Sequence, residues 1–376
     1  MKFLFVCGGT AGHINPALAI AAELRRSAPE ADFLFVGADR EMENRLIPRA
    51  GHKLVNIQMS GLKRGLSPAK TLANIKTAKN VMAASTQAKK IIREYEPDAV
   101  IGTGGYICYP VVKTASKMGV PTFLHESNAI AGLTTKMLSS CADRVFVAFP
   151  GLEKQYRRPA RVIVTGTPVR DGFETQALET GTDRFPVKSK PLVVSFWGSL
   201  GAQHMNEIMA EFISLNIKKA RFDHIHSTGK SGGLELLNKE LLPDGLPEDL
   251  PSGIDIREYI DDMPKVMSEA DVILCRAGGS TIAELTAIGK PAVLIPSPYV
   301  TNDQQVRNAE QVQKHGGAVM LLEKDCTGRI LFDAVSSIID DENTMKSMSE
   351  AQKALGFPDA AKRIAAIIIG FCKASA

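Results

Sequence analysis

The sequence predicts two α/β domains, each a doubly wound parallel sheet, and three observations carry that expectation. Short apolar runs alternate with stretches of helical periodicity, the alternation restarts after residue 190, and both halves place glycine-rich turns directly after apolar runs. Strands separated by helices imply parallel pairing through right-handed crossovers. In the first half the expected elements are a strand at 3–7, a helix at 17–26, a strand at 33–36, a long helix at about 69–95, and strands at 99–101 and 121–124. In the second half they are a strand at 192–196, a helix from about 203, strands at 224–227, 254–257 and 272–275, a helix from 281, strands at 292–295 and 318–322, and terminal helices. Gly166, Thr167 and Pro168 interrupt the pattern and mark the join, whereas 175–190 lacks periodicity and reads as loop.

With 376 residues, 44% of them hydrophobic, the chain is long enough for two cores. No apolar run approaches the roughly 20 residues needed to span a bilayer. The apolar start, Met1 to Cys7, meets Gly8 too early for a signal peptide, which predicts a cytoplasmic protein. The six cysteines, at 7, 108, 141, 275, 326 and 372, are never closer than 33 residues, so neither a zinc spacing nor a dense disulfide framework is available. They are expected to be buried as small apolar side chains. The seven histidines are equally dispersed, and neither a protein-held metal nor a cofactor is expected.

Charge is uneven. Residues 1–164 carry 23 Lys+Arg against 12 Asp+Glu, net +11, and the remainder is net −7. Between Glu43 and Glu94 no acid occurs, while Lys63, Arg64, Lys70, Lys76, Lys79, Lys89, Lys90 and Arg93 are interleaved with Leu62, Leu66, Leu72, Ile75, Val81 and Met82. A solvated helix face is the plain explanation; the interleaving also suits shallow docking on an anionic membrane surface. Nucleic acid is not the expected anion, because the stretch has no aromatic ring before Tyr95 for base stacking.

Four glycine turns follow expected strands: Gly8 to Gly12, Gly102 to Gly105, Gly198 to Gly201, and Ala277 to Thr281. In doubly wound sheets ligands bind beyond the carboxyl ends of the strands, where glycine admits bare backbone and helix N-termini face phosphate. Two such domains imply a cleft. The first turn is not a nicotinamide fingerprint, since Cys7 stands where the frame ending at Gly12 needs glycine, and no turn carries a Walker lysine. Nucleotide-sugar or other diphosphate ligands remain.

The strings at 8–16, 102–106 and 125–132 closely resemble the MurG family of bacterial glycosyltransferases, as do those at 166–170, 198–202, 259–263, 275–284, 302–305 and 308–309. The resemblance implies two Rossmann-like domains of the GT-B type: residues 1–165 for acceptor and membrane docking, joined by a returning helix at about 357–376, and 166–356 for the donor. It implies inverting transfer of N-acetylglucosamine from UDP-N-acetylglucosamine to lipid-linked N-acetylmuramoyl-pentapeptide, at the cytoplasmic face of the membrane. The family usually has Gly where Ala11 and Trp197 stand, Asn where Thr167 stands and often Gln where Leu200 stands.

Direct displacement at an anomeric carbon needs a base for the incoming hydroxyl, and His13 has the side chain with pKa nearest neutrality. Its alternative is a helix cap or a hydrogen-bond donor to the acceptor diphosphate. His125 and Glu126 form a second acid/base possibility, or a buried satisfied pair. Resemblance assigns Gly104, Gly105, Tyr106 and His125 to the acceptor. It assigns to the donor Thr10, Ala11, Gly12, Asn128, Arg170, Ser199, Ile260, Gly278, Gly279, Ser280, Thr281, Ile282, Ala283, Glu284, Gln304 and Gln305. Turn geometry, an Asx turn at Asn128, an ion pair at Arg170 and a capping box at Glu284 are the plainer alternatives. Two other functions compete: a UDP-N-acetylglucosamine 2-epimerase-like enzyme, and a non-catalytic binder of lipid-linked precursor.

Overall fold

The computed structural model describes residues 1–59, 68–170, 172–173, 190–231, 233, 235, 237 and 250–375, with 68–79 described as helix without their side chains. The loop expected before residue 190 lies outside the described residues. So do the side chains of Leu62, Lys63, Arg64, Leu66, Lys70, Leu72, Ile75, Lys76 and Lys79. The chain divides into two compact units, Met1–Arg170 with Asp359–Ala376, and Asp171–Pro358.

The first unit runs β1 (Lys2–Cys7), α1 (Ala11–Ser27), β2 (Asp32–Gly37), α2 (Glu41–Arg49), β3 (Lys53–Asn56), α3 (Pro68–Tyr95), β4 (Ala99–Gly104), α4 (Cys108–Lys117), β5 (Thr122–Glu126), α5 (Leu133–Leu138), β6 (Arg144–Val147) and β7 (Val162–Val164). Its seven parallel strands lie in the order β3-β2-β1-β4-β5-β6-β7. Strands covered on both faces need continuous apolar runs, which is what Phe3 to Cys7 supplies. The register sets Phe3 beside Phe33 and Phe5 beside Phe35, whose stacked rings lie 5.0 Å apart.

The second unit runs β8 (Leu192–Phe196), α6 (Gln203–Lys219), β9 (Asp223–Ser227), β10 (Ile254–Arg257), α7 (Met263–Glu269), β11 (Val272–Cys275), α8 (Gly279–Ile288), β12 (Ala292–Leu294), α9 (Gln304–Lys314), β13 (Ala318–Met320), α10 (Gly328–Ile339) and α11 (Glu342–Leu355). Its strands, also parallel, lie in the order β10-β9-β8-β11-β12-β13. The last helix, α12 (Ala360–Ser375), packs on α1 and sends Ile364, Ala365, Ile368 and Cys372 into the core of the first unit.

Two local differences from expectation bear on function. Helix α1 starts at Ala11 rather than 17, because Pro16 inside it removes a single backbone donor without stopping it. His13 therefore lies in the first helical turn. Strand β5 extends to Glu126, so His125 and Glu126 end a buried strand instead of beginning a loop. The nine-residue α2, mostly polar and with Pro48 in its last turn, was not expected; it carries Glu43.

Candidate active site

In each sheet the strand order reverses between its first strand and the one reached by the third crossover: β1 and β4 in the first unit, β8 and β11 in the second. The ligand crevice of a doubly wound sheet lies at that reversal, beyond the carboxyl ends of the strands. All four glycine turns lie there, two per unit.

In the first unit the turns after β1 and β4 meet backbone to backbone. A Cβ on Gly105 would stand 2.5 Å from the Gly8 carbonyl oxygen, and one on Gly104 would stand 2.3 Å from the His13 ring. Both glycines have φ in the left-handed region, +90° at Gly105 and +128° at Gly104. Only glycine allows this approach, and it presses His13 onto the second turn. The Thr103 hydroxyl donates to the His13 carbonyl at 2.7 Å. His13 Nδ1 lies 2.9 Å from the Gly8 carbonyl oxygen. A carbonyl only accepts, so Nδ1 carries the proton and Nε2 keeps its lone pair. That is the tautomer a base needs. Helix α1 begins at Thr10 without a capping side chain and without an acid in its first turn, which leaves the N–H groups near Ala11 and Gly12 suited to an anion.

Arg40 holds Tyr106 by donating from Nε to its hydroxyl at 3.0 Å. His125 is buried, donates from Nε2 to the Gly166 carbonyl at 3.3 Å, and is held down to about 4 by burial, so it is neutral at pH 7. Glu126 uses both carboxylate oxygens. Oε1 accepts from Asn128 N at 3.2 Å and Nδ2 at 2.9 Å, and Oε2 accepts from Gly132 N at 2.9 Å. These bonds shape the turn that presents Asn128. Arg170 ends the first unit's main segment.

In the second unit the turn at Gly198 to Gly201 crosses Gly229 so closely that a Cβ on Gly201 would stand 2.1 Å from the Thr228 carbonyl oxygen. Ser199 sits on this turn, and Ser231 N and Lys230 N donate back to the Leu200 and Ser199 carbonyls. The Trp197 ring, large for a glycine-turn neighbour, is folded into the core of the unit under the Arg276 guanidinium, 5.9 Å away, and so leaves the turn open. Arg276 in turn pairs with buried Glu323 at 2.6 Å.

Helix α8 is capped by Gly278 with no side-chain cap bond, so Glu284 makes no capping box with Ser280 or Thr281. Its first turn holds no acid, Ser280 Oγ is buried without a partner, and Glu284 is buried one turn further on. Ile260 is buried in the loop between β10 and α7. Gln304 opens α9, and Gln305 Oε1 accepts from Ser297 N at 2.8 Å. Gln305, Trp197, Ala202, Arg276 and Tyr299 line a pocket of about 540 Å³ at the ends of β8, β11 and β12. The six cysteines are free, five of them buried. Among the described residues no group of three or more His, Cys, Asp or Glu could hold a metal ion.

Two side chains at the first site are not among the candidate residues the sequence suggests: Arg40 and Glu43. Both come from the β2–α2 corner, and only the folded sheet brings them beside the glycine turns.

Residues 3–147 match the glycosyltransferase family 28 N-terminal domain, and residues 192–364 match the family's C-terminal domain. A UDP-N-acetylglucosamine–N-acetylmuramyl-(pentapeptide) pyrophosphoryl-undecaprenol N-acetylglucosamine transferase from Acetivibrio thermocellus is 39% identical over 98% of this chain and 97% of its own. The crystal structure of MurG from Acinetobacter baumannii superposes with a TM-score of 0.75 at 25% identity, covering 98% of this chain and 99% of that one. UDP-GlcNAc 2-epimerase from Neisseria meningitidis superposes at 0.67 with 14% identity, covering 98% of this chain and 100% of that one, a likeness of fold alone. With both family domains in order on a GT-B frame and identity sustained along nearly the whole chain, this protein belongs to glycosyltransferase family 28, among the MurG N-acetylglucosamine transferases.

Proposed function

We infer that this chain transfers N-acetylglucosamine from UDP-N-acetylglucosamine to lipid-linked N-acetylmuramoyl-pentapeptide, completing the disaccharide precursor of peptidoglycan. The observation that carries the inference is the near full-length identity with transferases of that name. The geometry supplies a mechanism. His13 Nε2 accepts the proton of the acceptor hydroxyl as that oxygen attacks the anomeric carbon, and the bond to UDP breaks with inversion. Negative charge builds on the departing diphosphate, and the uncapped, acid-free N-termini of α6 and α8 stabilise it without a proton transfer. Glu284 binds the ribose, the backbone at Ile260 meets the uracil, and Gln304 and Gln305 read the sugar hydroxyls. Gly104, Gly105 and Tyr106 hold the acceptor, and the clamp of Glu126 on Asn128 favours a positioning part for Glu126.

No described helix is long and apolar enough to cross a membrane. Location rests on the charge of the first unit, 27 Lys+Arg against 13 Asp+Glu, net +14. That charge fits a peripheral protein on the anionic cytoplasmic face, where a water-soluble donor meets a lipid-bound acceptor. No nucleic acid partner is proposed.

The test is to incubate the purified protein with radiolabelled UDP-N-acetylglucosamine and a short-chain lipid-linked acceptor. Label appearing in a lipid-linked disaccharide supports transfer. Acceptor-independent isomerisation of the sugar identifies an epimerase, and binding of the lipid without turnover identifies a non-catalytic binder.

A further inference from the structure

Glu43 reaches from the first turn of α2 to a place directly beneath the first glycine turn, and it is fully buried there. Its Oε1 accepts the Gly9 N–H at 3.0 Å, while Oε2 is buried without a partner. The contact is tight: a Cβ on Gly8 would stand 2.5 Å from Oε1. The Gly9 N–H and the Gly8 carbonyl are the two ends of one planar peptide group. Glu43 grips one end, and His13 Nδ1 donates to the other at 2.9 Å.

Glycine on both sides makes this peptide group easy to rotate. Gly9 sits at φ +89° with nothing within 4 Å of its would-be Cβ, so its backbone has the conformational freedom that a residue with a side chain would lack. A flipped peptide would turn its N–H toward His13 Nδ1, which then could only accept, and the proton would move to Nε2. The carboxylate prevents the flip. It also strengthens the far hydrogen bond, because donors and acceptors aligned through one peptide group polarise each other.

We propose that Glu43 is a positioning residue for His13: acting across the Gly8–Gly9 peptide group, it locks the imidazole with its proton on Nδ1 and its lone pair on Nε2. The kinetic consequence rests on His13 being the base; the tautomer lock does not.

The experiment reads both. Full-length protein labelled with ¹⁵N-histidine gives the ring tautomers in long-range ¹H–¹⁵N spectra, with the His13 signals identified by their loss in His13→Gln. Turnover is measured with UDP-N-acetylglucosamine and a soluble short-chain acceptor. Wild type shows the Nδ1–H form. Glu43→Ala shifts the ring toward the Nε2–H form, and kcat falls roughly 10- to 100-fold while the donor KM stays within about twofold. Glu43→Gln, whose amide oxygen still accepts the Gly9 N–H, restores the wild-type ring pattern and most of the turnover. If Glu43→Ala does not fold, Glu43→Asp, one methylene too short to reach Gly9, takes its place. An unchanged ring pattern on loss of the carboxylate overturns the proposal. A shifted ring with unchanged kcat sustains the lock and removes His13 as the base.

Discussion

The two units are variations on one plan, and the contrast between them lies in what surrounds matching glycine turns. Each has a parallel sheet that reverses order beside its first strand, and each places two glycine turns and an uncapped helix at that point. In the first unit the helix brings His13 against the neighbouring turn, and a buried carboxylate comes up from below. In the second, the turn at Gly198 crosses the bare backbone of Gly229, and His204 near the start of α6 pairs with Glu207 one turn on. The first unit is net +14, while the second has 18 Lys+Arg against 28 Asp+Glu, net −10. In the mechanism we propose, one topology serves proton transfer and acceptor binding in one copy and charge stabilisation in the other, with the difference carried by a few side chains around an almost unchanged backbone device.

The contrast extends to acid stability, where the largest effect is expected. In the second unit the Ser195 hydroxyl lies between two buried imidazoles, 2.8 Å from His224 Nε2 and 2.7 Å from His226 Nδ1. Burial pushes His226 down to about 3 and His224 well below its ordinary value. In the unfolded chain both rings protonate below about pH 6.5, whereas the folded rings resist. The unfolded state therefore binds more protons, and stability falls as pH falls. At about 1.4 kcal/mol per pH unit per ring, the pair loses about 5 kcal/mol between pH 6.5 and 4.5. The first unit has one comparable ring, His125, and loses about half as much. Trp197, the single Trp, lies in the core of the second unit, so its fluorescence in urea titrations reports that unit. Hydrogen exchange of the β1 and β4 amides reports the other. Equal pH dependence in the two probes would remove the histidine pair as the cause.

Next in size is the loss of the first unit's chemistry. His13→Ala should lower kcat by about 100-fold or more with UDP affinity nearly intact. Normal turnover with a raised acceptor KM would make His13 a substrate-positioning group.

How much of this was legible in the sequence follows from the range of the contacts. Apolar runs ending in glycine are local signals, so most of the strands and all four turns could be read, and His13 with them. Glu43 could not: it sits in a short, mostly polar helix, and its bond to Gly9 spans 34 residues and exists only after β1 and β2 pair. The strand at 224–227 was readable, but that its two histidines face a shared serine follows from the β8–β9 register, which sets Ser195 beside His226. Residue type alone misdirected at Ser280 and Thr281, good capping residues that lie inside α8 because Gly278 already supplies the extended backbone at its start. Trp197 is legible as a departure from its family, though its rotation into the core is decided by packing beneath Arg276.

A smaller effect separates the units by ligand. If the second unit holds the donor, Glu284→Ala and Ser199→Ala should each weaken UDP binding by about 1 to 3 kcal/mol in calorimetry. His13→Ala should leave it unchanged. The same logic makes the helix termini sufficient for the leaving group, so activity should persist after exhaustive EDTA treatment. UDP affinity that is insensitive to both second-unit substitutions would erase the division of labour.

The smallest effect per residue is electrostatic and tests the charge contrast itself. Lys89, Lys90 and Arg93 are exposed on the last turns of α3, beside exposed Met82, and Lys90 is only loosely paired with Glu94 at 3.8 Å. Lys70, Lys76 and Lys79 precede them on the same helix. Each basic group near an anionic surface contributes about 1 kcal/mol and is screened beyond about 8 Å in physiological salt. Charge reversal of Lys70, Lys76 and Lys79 to Glu should therefore release the protein from vesicles rich in anionic lipid and slow transfer to a membrane-embedded acceptor. Transfer to a soluble short-chain acceptor should stay near wild type, because these lysines are remote in sequence from both glycine turns of the unit. Raising the salt should weaken wild-type vesicle binding and leave the triple variant almost unaffected. Equal binding of the two proteins at low salt would mean that the positive charge of the first unit serves the acceptor diphosphate alone, and the contrast between the units would then reside wholly in their sites.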